Sequence, residues 1–324
     1  MKNANDMHYC FRILTSVFFA AGFSLLLFSF SCNGEKKPAE SKTKTTEPEK
    51  DLSPEIITQV EKIKPLYDTI TAAGDWMMNH PDEKFLSFDD YKKRKPERIT
   101  TKRYKIYIQP IGNFDSIRNE ILKTTARYLE AFFGVAVVIN SPLSDTLVPD
   151  DERRVMHGNE QLKSSYINKS ILKPLLPADG AVMVGFTPID LYPSDEWNFV
   201  FGQALTKGRV GVWSVNRFGT PEKSKKDYRI FLLRALRTSS HEISHMFSLP
   251  HCVKYHCVLN GANSLEEADE RPLCPCPECL QKLCWNFNVL PSEHFERMKK
   301  FWEEAGEKEC TDFYEKNLEM LNKN

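Results

Sequence analysis

The chain has 324 residues, with 44 lysines and arginines against 44 aspartates and glutamates, so its formal net charge is zero. A balanced charge argues against nucleic acid as a partner and against long-range steering of an acidic one. No internal repeat period is visible, and the residues from Trp76 onward suffice for one hydrophobic core of ordinary size.

The first segment, 1–31, carries Lys2 and Arg12 and then an uncharged run over 13–31 that ends at Ser31-Cys32-Asn33-Gly34. A basic start followed by an apolar run reads as an export signal, although this run exceeds the usual apolar region of about 7 to 15 residues. The small residue before Cys32 resembles a bacterial lipoprotein signal, loosely because of Ser29 and Phe30, in which Cys32 is lipidated and becomes the N-terminus. An uncleaved transmembrane anchor is the alternative, because about 18 apolar residues can span a bilayer. Both outcomes predict an exported, membrane-anchored protein facing the periplasm or cell surface. Residues 32–55 are Lys, Glu, Thr, Ser and Pro with almost no bulky apolar side chain. They bury too little surface to offset ordering entropy, and are expected to be a solvated tether.

Residues 56–100 read as a helical leader. Residues 103–110 alternate as a strand, and 115–133 are helical, with Ile117, Ile121, Tyr128 and Phe132 on one stripe. A short apolar strand is expected over 135–140, a second helix over 161–175 and a buried strand over 181–186. Another strand falls at 209–216, either a sheet edge able to pair with an extended peptide or an ordinary internal strand. Residues 229–247 then place Ile230, Leu233, Leu236, Ile243 and Phe247 at helical spacing, so the apolar side packs inward while His241 and His245 face a cleft. A last helix over 291–321 carries Phe295, Met298, Trp302 and Ala305 along one side. This alternation predicts an α+β fold, a mixed twisted sheet with helices over it, with a catalytic domain over 101–290 and a C-terminal helix over 291–324.

The chemistry is concentrated in His241-Glu242-Ile243-Ser244-His245-Met246-Phe247-Ser248-Leu249-Pro250-His251. On a helix of 3.6 residues per turn, His241 and His245 project from one face and can reach one ion. Glu242 lies one step round, placed to bond a metal-bound water without being a ligand. A third imidazole six residues after the second cannot come from the same straight helix, so the chain must turn sharply after about Phe247. Three protein ligands leave a fourth position open, which is how a catalytic zinc is held.

Immediately downstream, Cys252-x4-Cys257 and Cys276-Pro277-Glu278-Cys279 form two short-spaced pairs suited to a tetrahedral structural zinc. Because Cys252 follows His251 directly, that second ion locks the turn that delivers the third ligand of the first. Cys274, Cys284 or His256 are possible substitutes, Cys310 stands apart in the sequence, and disulfide pairing among these cysteines is the alternative.

These residues resemble the archaemetzincins, whose pattern is the extended zinc motif followed by Cys-x4-Cys-x-Met and then Cys-x2-Cys. Asn260-Gly261-Ala262-Asn263-Ser264-Leu265-Glu266-Glu267-Ala268-Asp269, Arg271-Pro272-Leu273 and Leu280-Gln281-Lys282-Leu283 also match. So do Ile106-Tyr107-Ile108-Gln109-Pro110-Ile111-Gly112, Asp190-Leu191-Tyr192-Pro193 and Trp197-Asn198-Phe199-Val200-Phe201-Gly202 upstream. The likeness runs from about Trp76 to about Trp285, and implies a zincin/metzincin-like catalytic domain with a four-cysteine structural zinc site. It also suggests Val210-Gly211-Val212-Trp213-Ser214 as the substrate-pairing edge. There are two departures. Ser248 stands where the family has glycine at the end of the helix, and a left-handed conformation there costs a residue with a side chain roughly 1 to 2 kcal/mol. Leu259 replaces the methionine beneath the metal, a swap of similar volume that costs under about 1.5 kcal/mol.

The expected function is a zinc-dependent metallopeptidase with two zinc ions per chain, acting on a peptide or protein substrate. Zinc lowers the pKa of its water to about 7, and Glu242 takes the proton and passes it to the departing amine. Glu266, Glu267 and Asp269 are either carboxylates that orient ligand imidazoles or a solvated helix start. Two other classes stand beside this one. The first is a catalytically weak or silent zinc-binding, peptide-recognition module of the same fold. The second is a Cys-rich zinc finger for protein contact with an incidental histidine motif.

Overall fold

A computed structural model describes residues 51–71 and 74–323. The expected export signal, nearly all of the tether and the lipidation candidate Cys32 lie outside the described residues. Among those residues, no helix is long and apolar enough to cross a membrane.

A five-stranded mixed sheet organises the domain, in the order β2 (Val137–Ile139), β1 (Lys105–Pro110), β5 (Gly180–Thr187), β8 (Val210–Ser214), β7 (Gly202–Leu205). β1 is parallel to β2 and β5, β5 is parallel to β8, and β7 runs antiparallel to β8. β5 is buried along its whole length, as a central parallel strand covered on both faces must be. Its alternate residues feed two cores. Val182, Val184 and Phe186 pack with the helices, whereas Met183 faces a second cluster with Tyr107, Val210 and Val212.

Over the first face lie α4 (Ser116–Phe133) and α7 (Lys225–Met246). Asp115 caps α4 by accepting from the Arg118 N–H, and Gly134 ends it at φ 70. Ser224 caps α7 by accepting from the Asp227 N–H. The buried serines of α7 answer their own polarity, since Ser239, Ser240 and Ser244 each donate to a carbonyl one turn back. Around this layer sit α1 (Ser53–Ile63), α2 (Asp75–Asn79), α3 (Phe88–Lys93), α8 (Leu265–Asp269), α9 (Pro277–Phe287), α10 (Pro291–Glu304) and α11 (Lys308–Asn322). Ile56, Val60 and Ile63 of the leader and Phe295, Met298 and Trp302 of the tail share one core with α4 and α7.

The α+β expectation holds, with three differences in detail. The helix expected over 161–175 starts later, because β4 (Asn159–Lys163) pairs with β3 (Arg153–Met156) and β6 (Asp190–Tyr192) in a separate three-stranded sheet. Its hairpin turns on His157 and Gly158, both at positive φ, as a two-residue loop between twisted strands requires. The helical part then runs through α5 (Ser164–Tyr166), a π segment (Ile167–Leu172) and α6 (Lys173–Leu175). The Lys173 N–H reaches back five residues to Asn168 O, next to Pro174, which has no N–H to give.

The second difference concerns 209–216. β8 is internal, between β5 and β7, so the edge beside it is β7 and not Val210–Ser214. Thirdly, the single C-terminal helix is two. Gly306 at φ 73 ends α10, with the Glu307 N–H bonded to Trp302 O at 3.0 Å and the Gly306 N–H to Glu303 O at 3.1 Å.

Candidate active site

The C-terminus of α7 shows how the third imidazole is delivered. Ser248 is left-handed at φ 66, its N–H bonds His245 O at 2.8 Å, and the Leu249 N–H bonds Ser244 O at 3.2 Å. These two bonds close the helix and reverse the chain. Two contacts offset the cost of a side chain here: the Tyr91 hydroxyl donates to Phe247 O at 2.7 Å, and the Ser248 hydroxyl accepts from the Glu97 N–H at 3.3 Å. Three residues later His251 faces His241 and His245. One nitrogen from each lies within 4.8 Å of the others.

The outer nitrogen of each ring is tied down. His241 Nδ1 lies 2.8 Å from Val258 O, and His245 Nδ1 2.5 Å from Leu249 O. A carbonyl only accepts, so both Nδ1 atoms carry the proton and both Nε2 atoms present lone pairs. Those Nε2 atoms are 2.9 Å apart, with no proton available between them. Two lone pairs facing each other this closely repel unless a cation takes them up. His251 Nδ1 lies 2.7 Å from Glu83 Oε1, which likewise leaves its Nε2 for the centre. Burial pushes all three imidazoles below their usual pKa, keeping them neutral and able to ligate. The donor set fits zinc.

Glu242 opens onto the same cavity as His241 and His251. Burial pushes its carboxyl up to about 7. Trp76 roofs the site, standing edge-on to His251 at 4.8 Å between ring centroids and donating its indole N–H to Glu83 Oε2 at 2.8 Å. Gly261 allows this, because a Cβ there would lie 2.3 Å from the indole.

Behind the histidines, the thiols of Cys252, Cys257, Cys276 and Cys279 also lie within 4.8 Å of one another, all buried. Cys252 Sγ and Cys276 Sγ are 3.6 Å apart, near the edge of about 3.8 Å for a tetrahedron of 2.3 Å zinc–sulfur bonds. Two backbone N–H groups point at Cys257 Sγ, from Cys276 at 3.2 Å and Leu259 at 3.4 Å. Neighbouring thiols, Cys257 first, hold Cys252 well below its usual pKa. All four are free thiols, as are Cys274 and Cys284, which stay outside the cluster. His256 is exposed and Cys310 sits on α11.

The two clusters share a scaffold. Val258, whose carbonyl holds His241, lies between Cys257 and Leu259, and the Cys252 N–H bonds Leu259 O at 2.8 Å. The acids singled out after the motif do something else: Glu267 accepts from the N–H groups of Trp76 and Asn263 and pairs with Arg271, while Asp269 pairs with Arg234. The carboxylate that orients a ligand imidazole is Glu83. Nothing in the sequence distinguishes it from the many other surface-type acids.

With this geometry in hand, the similarities to known proteins are specific. Residues 152–284 match the profile of Peptidase family M54. Archaemetzincin-2 of Rattus norvegicus is 35% identical, covering 74% of this chain and 80% of its own. Archaemetzincin-2 of Homo sapiens is 36% identical over 66% of this chain and 68% of its own. Among solved structures, archaemetzincin from Methanopyrus kandleri aligns with a TM-score of 0.46 at 24% identity, covering 57% of this chain and 96% of its own.

Proposed function

Because the chain belongs to the archaemetzincin family of zinc metallopeptidases, we propose that it hydrolyses peptide bonds at the three-histidine centre with Glu242 as general base. One observation carries this reading: three imidazole lone pairs converge beside a half-buried carboxyl on the wall of one cavity. His241, His245 and His251 would hold the catalytic zinc, and Cys252, Cys257, Cys276 and Cys279 the structural one. When bound, the catalytic zinc supplies Lewis acidity toward water and the scissile carbonyl.

Glu242 accepts a proton from water as its oxygen attacks the carbonyl carbon, then returns it to the amine as the C–N bond breaks. A carboxyl pushed toward neutrality by burial is suited to carrying a proton both ways. The protonated Nδ1 atoms of His241 and His245, held on carbonyls, keep their Nε2 atoms aimed at the reacting centre. Among the described residues no further strand pairs with the outer side of β7, and Phe201, next to its first residue, lines the cavity. An extended substrate pairing there by its backbone would lie across the histidines.

The test is digestion of an unbiased peptide library by zinc-loaded protein, with cleavage sites read by mass spectrometry. Turnover that vanishes in Glu242→Gln while two zincs remain supports the peptidase. Two zincs with no turnover of any peptide would instead identify a silent peptide-recognition module.

We also propose that the enzyme is exported and tethered to a membrane through a lipid on Cys32, which rests on the sequence of residues 1–32 alone. In a bacterial host, Cys32→Ser should abolish incorporation of labelled fatty acid. Incorporation that persists, or that is absent from the parent chain, would sink this.

A further inference from the structure

The cavity onto which His241, Glu242 and His251 open has a volume of about 220 Å³, room for a substrate side chain beside the histidines. Its walls include Trp76, Phe201, Thr238, Ser264, Arg237 and Arg271. Arg237 lies one turn before His241 on α7 and is only 7% exposed. Its Nε and Nη2 donate to Arg271 O at 3.3 and 3.1 Å, and Nη1 comes no nearer to a carboxylate than 3.4 Å from Asp269.

Asp269 is already engaged, since Arg234 grips both of its oxygens at 2.6 to 3.1 Å. Arg271 is matched by Glu267 at 2.6 Å. Arg234, Arg237 and Arg271 therefore share Asp269 and Glu267, neither of which lines the chamber, where Glu242 on the metal side is the one carboxyl among the lining residues. A buried cation that only shares a counter-charge, at 3.4 Å and behind a better-placed arginine, is costly, and a guanidinium matches the geometry of a peptide's carboxylate with a fork of two N–H groups.

We propose that this chamber is a subsite for a substrate carboxylate next to the scissile bond, with Arg237 as its main recognition residue. It rests on the peptidase reading for the word substrate, and on the arginine geometry for the rest. Thr238 lines the same wall one residue on from Arg237, and Ser264, whose hydroxyl caps α8, lines it as well. The carboxylate has two sources: an Asp or Glu side chain, or the free C-terminus of a short peptide.

The experiment measures equilibrium binding of matched peptides to the zinc-loaded full chain carrying Glu242→Gln, so that nothing is cut. One pair differs by Glu against Gln at the position beside the scissile bond, the other by a free against an amidated C-terminus. The proposal expects at least tenfold tighter binding of the acid member of one pair, and the pair that shows it identifies the source. Arg237→Met should erase the difference, and Arg237→Lys should keep part of it. Two zincs and an unchanged unfolding temperature in either variant show that the fold survives.

No preference in the parent, or a preference untouched by both substitutions, overturns the subsite. If the unmutated chain cuts no peptide yet the Arg237-dependent preference persists, the peptidase reading falls and the carboxylate site stands.

Discussion

Glu83 Oε1 lies 2.7 Å from His251 Nδ1, so the last ligand of the zinc motif is oriented by a residue 168 positions upstream. A carboxylate in this role fixes the tautomer and raises the basicity of the ring. Glu83→Ala should weaken zinc at the histidine centre by about 10- to 100-fold. Binding at the cysteine cluster should not change. Titration with a chelator that resolves the two ions checks this, and equal loss at both sites would contradict it.

The two metal centres should fail asymmetrically. Losing an imidazole, as in His245→Ala, removes one ion and leaves the cysteine cluster intact. Cys276→Ser should release both, because the loop from Cys252 to Leu259 carries His251 on one flank and the Val258 carbonyl that holds His241 on the other. Zinc content per chain after gel filtration reads out the difference. Retention of the histidine zinc in Cys276→Ser would show that the two scaffolds are independent.

Ser248 carries the cost of a left-handed backbone. Ser248→Gly removes that cost but also loses the hydroxyl that accepts from the Glu97 N–H at 3.3 Å, a long bond. The net expectation is a gain of roughly 0.5 to 1 kcal/mol, about 1 to 3 °C in Tm. A lower Tm would mean that the hydroxyl matters more than the backbone.

Buried His294 makes stability depend on pH. Its Nδ1 contacts Phe132 O at 2.9 Å, its Nε2 has no partner among the described residues, and burial, reinforced by Arg297, pushes its pKa down to about 3. Unfolded chains take up this proton below about pH 6.5 while the folded protein stays neutral. Stability should therefore fall between about pH 6.5 and about pH 3, by up to about 1.4 kcal/mol per pH unit from this group. His294→Phe should flatten that slope in denaturant titrations at about pH 7 and about pH 5. An unchanged slope would assign the acid sensitivity elsewhere.

What can be read from the sequence follows physical range. The ligands lie on the end of α7, the loop after it and the start of α9, so spacing alone brings His241, His245 and the cysteine pairs together, and α4 and α7 announce themselves by 3.6-residue periodicity. Ser248 and Gly306 are local backbone signals. The first shows in its departure from glycine, while the second is hidden inside a good helical stripe. Partners from distant segments leave no such trace. Glu83 and Trp76 reach the site through segments without strong periodicity, and Arg237 reads as one more charge on a helix. β4 is a polar strand formed by pairing with β3 and β6, which no local preference of Asn159–Lys163 would suggest. The sheet edge is illegible for the same reason, since whether β8 has a neighbour depends on where β7 folds.

X-ray absorption at the zinc edge of protein selectively loaded at the histidine centre reads the ligand set of that ion itself. Three imidazole nitrogens at about 2.0 to 2.1 Å, an exchangeable oxygen and no sulfur are expected. A coordination sphere with a cysteine sulfur, or with only two imidazoles, would contradict this.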